Sequence, residues 1–303
     1  MIKIKFKSEG HFLAGNLYVP TNIKEGKIYP AVIIAGSWTT VKEQMAAIYA
    51  RKFSEKGYFA LAFDFRNYGG SQGEPRYMEQ PHKKVEDIKS AISYLRMLRQ
   101  VDPEGISVFG VCAGAMYALM AAATDSRIKS VATAASWLLD DEATRLIYGG
   151  EEGVAQKRKL AQDAIKLYYD TGKMIYIPTI SATDSEAAMF GEYDYYLNPD
   201  RGRIDEWSND KFALASWEEW LTLDTMPFAK QIEKPIIMIH SDGCILPDHT
   251  LRFFNDVISP EKELKWLDKK SKKRYDHQAN FYDQDYEVNY AIKASTIFFR
   301  DQA

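Results

Sequence analysis

Cys112 stands at the centre of Gly110-Val111-Cys112-Ala113-Gly114, a G-x-C-x-G pattern preceded by the apolar run Ser107 to Phe109. A thiol at this spacing can do nucleophilic chemistry. Small residues on both sides permit a sharp strand-to-helix turn that holds the reactive side chain in a strained conformation above a sheet. Glycine at 110 and 114 has a steric reason, because such a turn brings backbones close together. The run Ala113 to Ala123 favours helix, so Cys112 is expected at a helix N-terminus, where free N–H groups and the helix dipole favour the thiolate. The same residues also read as a buried strand, a glycine turn and a structural cysteine, since unpaired cysteine is among the most buried residue types. A dinucleotide turn fits less well: the middle glycine of G-x-G-x-x-G is missing and no Walker lysine follows.

Elements able to position that turn are spaced regularly on both sides of it. Residues 2 to 7 and 11 to 19 alternate around Glu9-Gly10 and predict a hairpin closed by Pro20. Short apolar runs at 31–35 and 59–63 predict strands covered on both faces, and further strands are expected at 107–111, 128–133 and 235–240. Helices are expected over 42–56, 83–99, 113–123, 247–256 and 285–299, with a further strand at 263–267. Strands alternating with helices predict a parallel sheet with helices on both faces. From Trp137 to Leu223 the alternation stops. That stretch holds a helix near 155–169, a doubtful strand at 174–177 and an aromatic-rich part containing Tyr193, Tyr195, Tyr196, Trp207, Trp217 and Trp220. The expected organisation is therefore a core of 1–136 and 224–303 with an inserted cap, 137–223, over the C-terminal edge of the sheet.

Composition narrows the partners. The 303 residues are 46% hydrophobic, enough for a large core, and the net charge of −3 offers no broad attraction to nucleic acid or anionic membrane. A small-molecule substrate is the expected partner, with a homodimer left open. Two cysteines, Cys112 and Cys244, are too few for a disulfide framework and fit a reducing compartment. No apolar run spans a membrane and the N-terminal residues alternate as a strand does, so a cytoplasmic location is expected. The basic run Lys269 to Arg274 reads as a solvated loop rather than a localisation signal. Nothing has metal-ligand spacing, and neither metal nor cofactor is expected.

The elbow, the strand order and the loop placements resemble an α/β-hydrolase, and most closely its dienelactone-hydrolase-like branch, whose nucleophile is a cysteine. Val41-Lys42-Glu43-Gln44, Asp64-Phe65-Arg66 through Gly73, Pro75-Arg76, Cys112-Ala113-Gly114 and Phe281-Tyr282-Asp283 are similar to bacterial hydrolases of that branch. The likeness covers about residues 1–135 and 225–300; the cap has no such match. The resemblance implies a triad in which an acid follows the 235–240 strand and a histidine follows the last strand. His277 is the histidine in the right loop, but related sequences place it at the position of Gln278. A one-residue adjustment of the loop would bring His277 to the thiol; otherwise the base is absent. The acid position falls on Cys244, flanked by Asp242, the first choice, and Asp248. His11 and His82 lie on the wrong parts of the chain for this role, and His240 and His249 are read as structural. The oxyanion hole would use the N–H of Ala113 and one from Ser37 or Trp38, and Glu43 would contact the thiol as a glutamate does in dienelactone hydrolases.

The expected activity is attack by Cys112 on an ester, thioester or lactone carbonyl to form an acyl-enzyme that water resolves. Acyl transfer is the close variant. A binding protein with a decayed triad, motivated by Gln278 and Cys244, is the alternative from another class.

Overall fold

The computed structural model describes residues 1–267 and 277–302; the basic run at 269–274 lies outside them. The alternating N-terminal segments form β1 (Ile2–Ser8) and β2 (His11–Tyr18), joined through Glu9 and Gly10 at positive φ. The regular part continues with β3 (Tyr29–Ala35), α1 (Met45–Glu55), β4 (Phe59–Phe63), α2 (Pro81–Arg96), β5 (Val101–Val111), α3 (Ala113–Thr124) and β6 (Val131–Ala134). β5 begins earlier than the apolar run because Val101 pairs with Tyr29 while Ile106 pairs with Ala31, and the Asp102-Pro103-Glu104-Gly105 turn is accommodated between them as an irregularity.

Between β6 and the next strand of the large sheet lie α4 (Asp141–Ile147), α5 (Gly150–Thr171), the two-residue strands β7 (Tyr176–Ile177), β8 (Ile180–Ser181) and β9 (Met189–Phe190), α6 (Asp194–Leu197), β10 (Phe212–Ala213) and α7 (Ser216–Trp220). α5 is longer than its apolar face predicts, because Gly149 and Gly172 bound it in left-handed conformations and Glu151 and Glu152 favour its first turn. Of that face only Ala161 and Ala164 are buried. The 174–177 segment does form a strand, β7, but it pairs with β10 rather than with the large sheet. A 3₁₀ turn at Met226–Gln231 leads to β11 (Ile236–Ser241), α8 (Pro247–Asp256), β12 (Lys262–Leu267), α9 (Asn280–Asp283) and α10 (Asp285–Asp301).

The large sheet runs β1-β2-β4-β3-β5-β6-β11-β12, antiparallel through β2–β4 and parallel from β4 onward. The chain therefore has an α/β-hydrolase architecture. β3, β4, β6 and β11 are buried almost throughout because helices cover both faces. Aromatic rings stiffen this core, with Tyr49 and Phe53 of α1 against Phe109 of β5 and Phe299 of α10. Parallel strands place all their C-terminal ends at one edge, so the loops after β3, β5 and β11 converge there.

Gly114 shows how tight that convergence is. A Cβ at this position would press into the carbonyl oxygens of Ala35 and Gly36, both backbone atoms that cannot rotate away. Gly114→Ala should destabilise the chain by about 3 kcal/mol, the upper range for overpacking, read as a lower urea midpoint with an unchanged slope. A shift of under about 0.5 kcal/mol would mean that the turn is looser than this packing implies.

Candidate active site

Cys112 adopts φ 55° and ψ −121°, a left-handed conformation costly for a residue with a side chain. The surroundings enforce it. Its N–H donates to the Ala134 carbonyl at 3.1 Å, and its own carbonyl accepts from Ala115 and Trp137, both at 3.0 Å. On the other side of the turn, a Cβ at Gly110 would lie 2.5 Å from the Gly114 carbonyl oxygen. The elbow expected from G-x-C-x-G is present.

Four polar groups neighbour the buried sulfur and favour its charged form: the Ser37 hydroxyl, the Tyr282 hydroxyl, the backbone N–H of Ala113 and the side-chain amide of Gln278. Each is held from behind. The Tyr196 hydroxyl donates to Ser37 Oγ at 3.2 Å. Gln278 accepts the Ile245 N–H at 3.0 Å and donates to the Ala135 carbonyl at 2.7 Å and to the Tyr282 hydroxyl at 3.3 Å. The Tyr49 hydroxyl donates to the Phe281 carbonyl at 2.7 Å and so anchors α9, which carries Tyr282. All the sulfur's partners are neutral.

Burial pushes the Cys112 thiol above its ordinary pKa, and the four polar neighbours oppose that shift without cancelling it. This runs against the expectation of a thiolate favoured by the helix N-terminus, because burial disfavours the charged form. Alkylation of Cys112 by a small haloacetamide should therefore keep accelerating as pH rises past the usual thiol value of about 8.5, as followed by intact mass. A plateau reached below pH 8 would contradict the burial argument.

His277 does not make the expected one-residue adjustment. Its Nδ1 lies 2.6 Å from Ser241 Oγ and its Nε2 lies 2.9 Å from Glu287 Oε1, so the ring is turned into the core while Gln278 faces the thiol. The loop is pinned in this register by the His277 N–H, which donates to the Gly243 carbonyl at 3.0 Å. Asp242 is corrected as well: it is exposed and accepts from Trp266 Nε1 at 3.2 Å, and Asp248 is exposed on α8. The carboxylate on His277 is that of Glu287, in the first turn of α10. Glu43 ion-pairs with Lys42 at 2.6 Å, and Lys42 also meets buried Asp64 at 2.8 Å, so the dienelactone-type contact to the thiol is replaced by a surface-side pair.

Ser37, Trp38 and Ala113 do gather around Cys112, Ser37 through its hydroxyl and Trp38 as a wall of the same cavity. Cys244 is buried beside Ser241, with Sγ 3.3 Å from Oγ and the thiol pushed up to about 12 by burial; both cysteines are free. Sequence reasoning missed Tyr196 and Tyr282 as partners. Their only signals were membership of the aromatic-rich insertion and of the Phe281-Tyr282-Asp283 motif.

A cavity of about 430 Å³ opens above Cys112, walled by Trp38, Trp137, Tyr148, Tyr196, Trp220 and Tyr282. The insertion that supplies much of this wall is tied to the loop after β3: Trp207 Nε1 donates to the Thr39 carbonyl at 3.1 Å, and the Met45 N–H donates to the Tyr195 hydroxyl at 3.0 Å. At the rim lie Glu192, Asp194 and Arg201, the last ion-paired with both Asp194 and Asp283. Away from the cavity, Asp140, Glu142 and His249 bring ligand-type atoms within 4.8 Å of one another. Arg252 ion-pairs with both of those carboxylates, so a guanidinium already offsets part of their charge. Among the described residues no helix is long and apolar enough to cross a membrane.

Comparison with known proteins agrees with the fold. The family described as X-Pro dipeptidyl-peptidase (S15 family) matches residues 9–265. The uncharacterized protein PA2218 of Pseudomonas aeruginosa is 30% identical over 253 residues, 79% of this chain and 66% of that protein. Its crystal structure superposes with a TM-score of 0.86 at 25% identity, covering 100% of this chain and 93% of that one. The thiohydrolase aneE of Aspergillus aculeatus is 37% identical over 102 residues, 34% of this chain and 32% of that protein. Thus the aligned parts span just under two thirds of the first relative's length and about a third of the second's.

Proposed function

This chain belongs to the X-Pro dipeptidyl-peptidase (S15) family, of α/β-hydrolase type, and from that premise we propose that it transfers acyl groups through Cys112. The donor is a thioester or activated ester whose acyl part fills the aromatic cavity. The observation that carries this reading is the strained elbow itself: a left-handed cysteine, enforced by backbone contacts, opens onto a pocket. Strain of that kind is of use when the side chain must present itself to a carbonyl. In this reading the Ala113 N–H and the loop at Ser37 and Trp38 receive the developing oxyanion. This reading keeps the thiol nucleophile that the resemblance to dienelactone hydrolases implies and drops the contact from Glu43, which pairs with Lys42 instead.

Transfer is favoured over hydrolysis because Gln278, and not a histidine, meets the thiol. An amide cannot take a proton from attacking water, so an acyl-enzyme would be hydrolysed slowly. The hydrolase and acyltransferase scaffold includes relatives with names of this kind, among them the acyltransferase drtE of Aspergillus calidoustus, 38% identical over 111 residues. The same Gln278 supports a second reading, a binding protein that holds an apolar acyl compound without turnover.

Intact mass separates the two. Incubation with N-acetylcysteamine thioesters of graded acyl length should add the acyl mass to Cys112 in the native chain and not in Cys112→Ala. Absence of any adduct, together with quenching of the cavity tryptophans by the same compounds, would replace the transferase by the binder.

A further inference from the structure

The reading of Cys112 as an acyl carrier leaves open what removes the acyl group. Among the described residues, the groups on the sulfur are two hydroxyls, a carboxamide and a backbone N–H. The described residues lining the cavity include no histidine and no lysine. The tyrosine hydroxyls at the bottom, Tyr196 and Tyr282, are buried, and burial holds both well above the ordinary phenol pKa. They donate hydrogen bonds but do not serve as bases near neutral pH. Among the described residues, the carboxylates in the lining are Glu192 and Asp194, both exposed at the rim. Water or an alcohol needs a base beside it to attack a thioester efficiently, whereas a neutral amine carries its own lone pair and needs none.

We propose that the acyl acceptor is a primary amine with an apolar or aromatic body, drawn to the rim as its ammonium ion and admitted to the cavity as the free base. The rim fits the first part. Among the described residues, Glu192, Asp194 and Asp283 set three carboxylates against the guanidinium of Arg201, a negative balance at the mouth. The enclosure fits the second: a cavity walled by Trp137, Tyr148 and Trp220 strips water from an entering amine, and that desolvation favours the neutral form, leaving the proton in the water at the mouth.

The chemistry closes without any group that the site lacks. In the first half, Cys112 Sγ bonds to the carbonyl carbon, the bond to the departing sulfur breaks, and the thiol proton ends on that sulfur. In the second half, the amine nitrogen bonds to the same carbon, the Cys112 S–C bond breaks, and one N–H proton returns to Sγ. The products are a free thiol and an amide, with no water consumed and no change of oxidation state.

The test rests on the acyl-Cys112 adduct and distinguishes this inference from the reading beneath it. The adduct is prepared from an N-acetylcysteamine thioester, freed of excess reagent, and chased with benzylamine, with benzyl alcohol at the same concentration, or with buffer alone. The expected result is decay with benzylamine at least tenfold faster than in the other two, saturable in amine, with benzylamide as product. The rate should also exceed by about a hundredfold that of benzylamine with the same acyl group on free N-acetylcysteine. Equal decay in all three solutions, or a rate no greater than that of the free thioester, would overturn the amine acceptor while leaving acylation of Cys112 standing. Failure to form the adduct at all would overturn both. Glu192→Gln should raise the half-saturating benzylamine concentration several-fold, and an unchanged value would overturn the rim's part.

Discussion

Replacing Gln278 with histidine should raise hydrolysis of an activated ester by about 10²-fold, the lower end of what a positioned general base contributes. Gln278 is the residue whose side chain meets Cys112 from the loop after β12, and its backbone is held by the His277 N–H bond to Gly243 and by α9. An imidazole there would draw the thiol proton and then activate water for deacylation, the step the native site lacks. The rate should acquire a rising limb near the ordinary histidine pKa of about 6.5, where the native chain shows only the slow rise of its elevated thiol. Adding Cys244→Asp, which restores a carboxylate in the loop after β11, should increase the gain further by orienting the ring. The substitution sacrifices the Gln278 bonds to Ile245 and Ala135, at a cost of about 1–2 kcal/mol, so stability is measured alongside. A folded Gln278→His variant with unchanged ester turnover would show that Cys112 is not the attacking group.

The largest expected loss of stability lies elsewhere, at Glu79. Its carboxylate is fully buried and meets the equally buried Lys84 ammonium at 2.6 Å, with the Tyr117 hydroxyl donating at 2.6 Å and the Tyr68 hydroxyl at 3.1 Å. Lys84 also lies over the rings of Phe65, Tyr68 and Tyr117. The Glu79 N–H donates to Ser216 Oγ at 2.9 Å, so this network joins the elbow helix α3 to the inserted segment. Glu79→Gln keeps the shape and removes the charge. It should cost about 3–5 kcal/mol, the usual result of leaving one buried ion unpaired. Burial already lowers the Lys84 pKa and Glu79 holds it up, so without Glu79 it falls further. The unfolded chain then binds more protons than the folded one up to the ordinary lysine value of about 10.4, and the variant's stability should rise with pH across that window. Urea unfolding at several pH values measures both effects. A pH-independent loss would mean that Lys84 is not the source.

The architecture was legible because it rests on period and run length. Apolar runs at 31–35, 59–63 and 235–240 have no other stable use than strands covered on both faces, and helices between them leave the parallel order as the natural arrangement. The elbow was legible for a local reason too: Gly110 and Gly114 are needed within the same few residues as Cys112. Boundaries shifted where bonds outside the segment extend it, as the Val101–Tyr29 pair does for β5. The partners of the thiol were a different matter. Ser37 comes from one stretch, Gln278 and Tyr282 from a second, and Tyr196, behind Ser37, from a third, and only the closed fold brings them together around one sulfur.

The choice between His277 and Gln278 shows the limit most clearly. Adjacent residues in a turn point in different directions, and which one faces the sheet edge depends on what the other finds behind it. Here Ser241 and Glu287 offer the imidazole two buried partners at 2.6 and 2.9 Å, while Ile245, Ala135 and Tyr282 satisfy the amide. None of those groups is near residues 277 and 278 along the chain except Tyr282 and Glu287, so local pattern carries no information about the outcome. The thiol's elevated pKa has the same origin. A helix N-terminus is written in neighbouring residues, but the desolvation that opposes it comes from the whole enclosure that packs over Cys112.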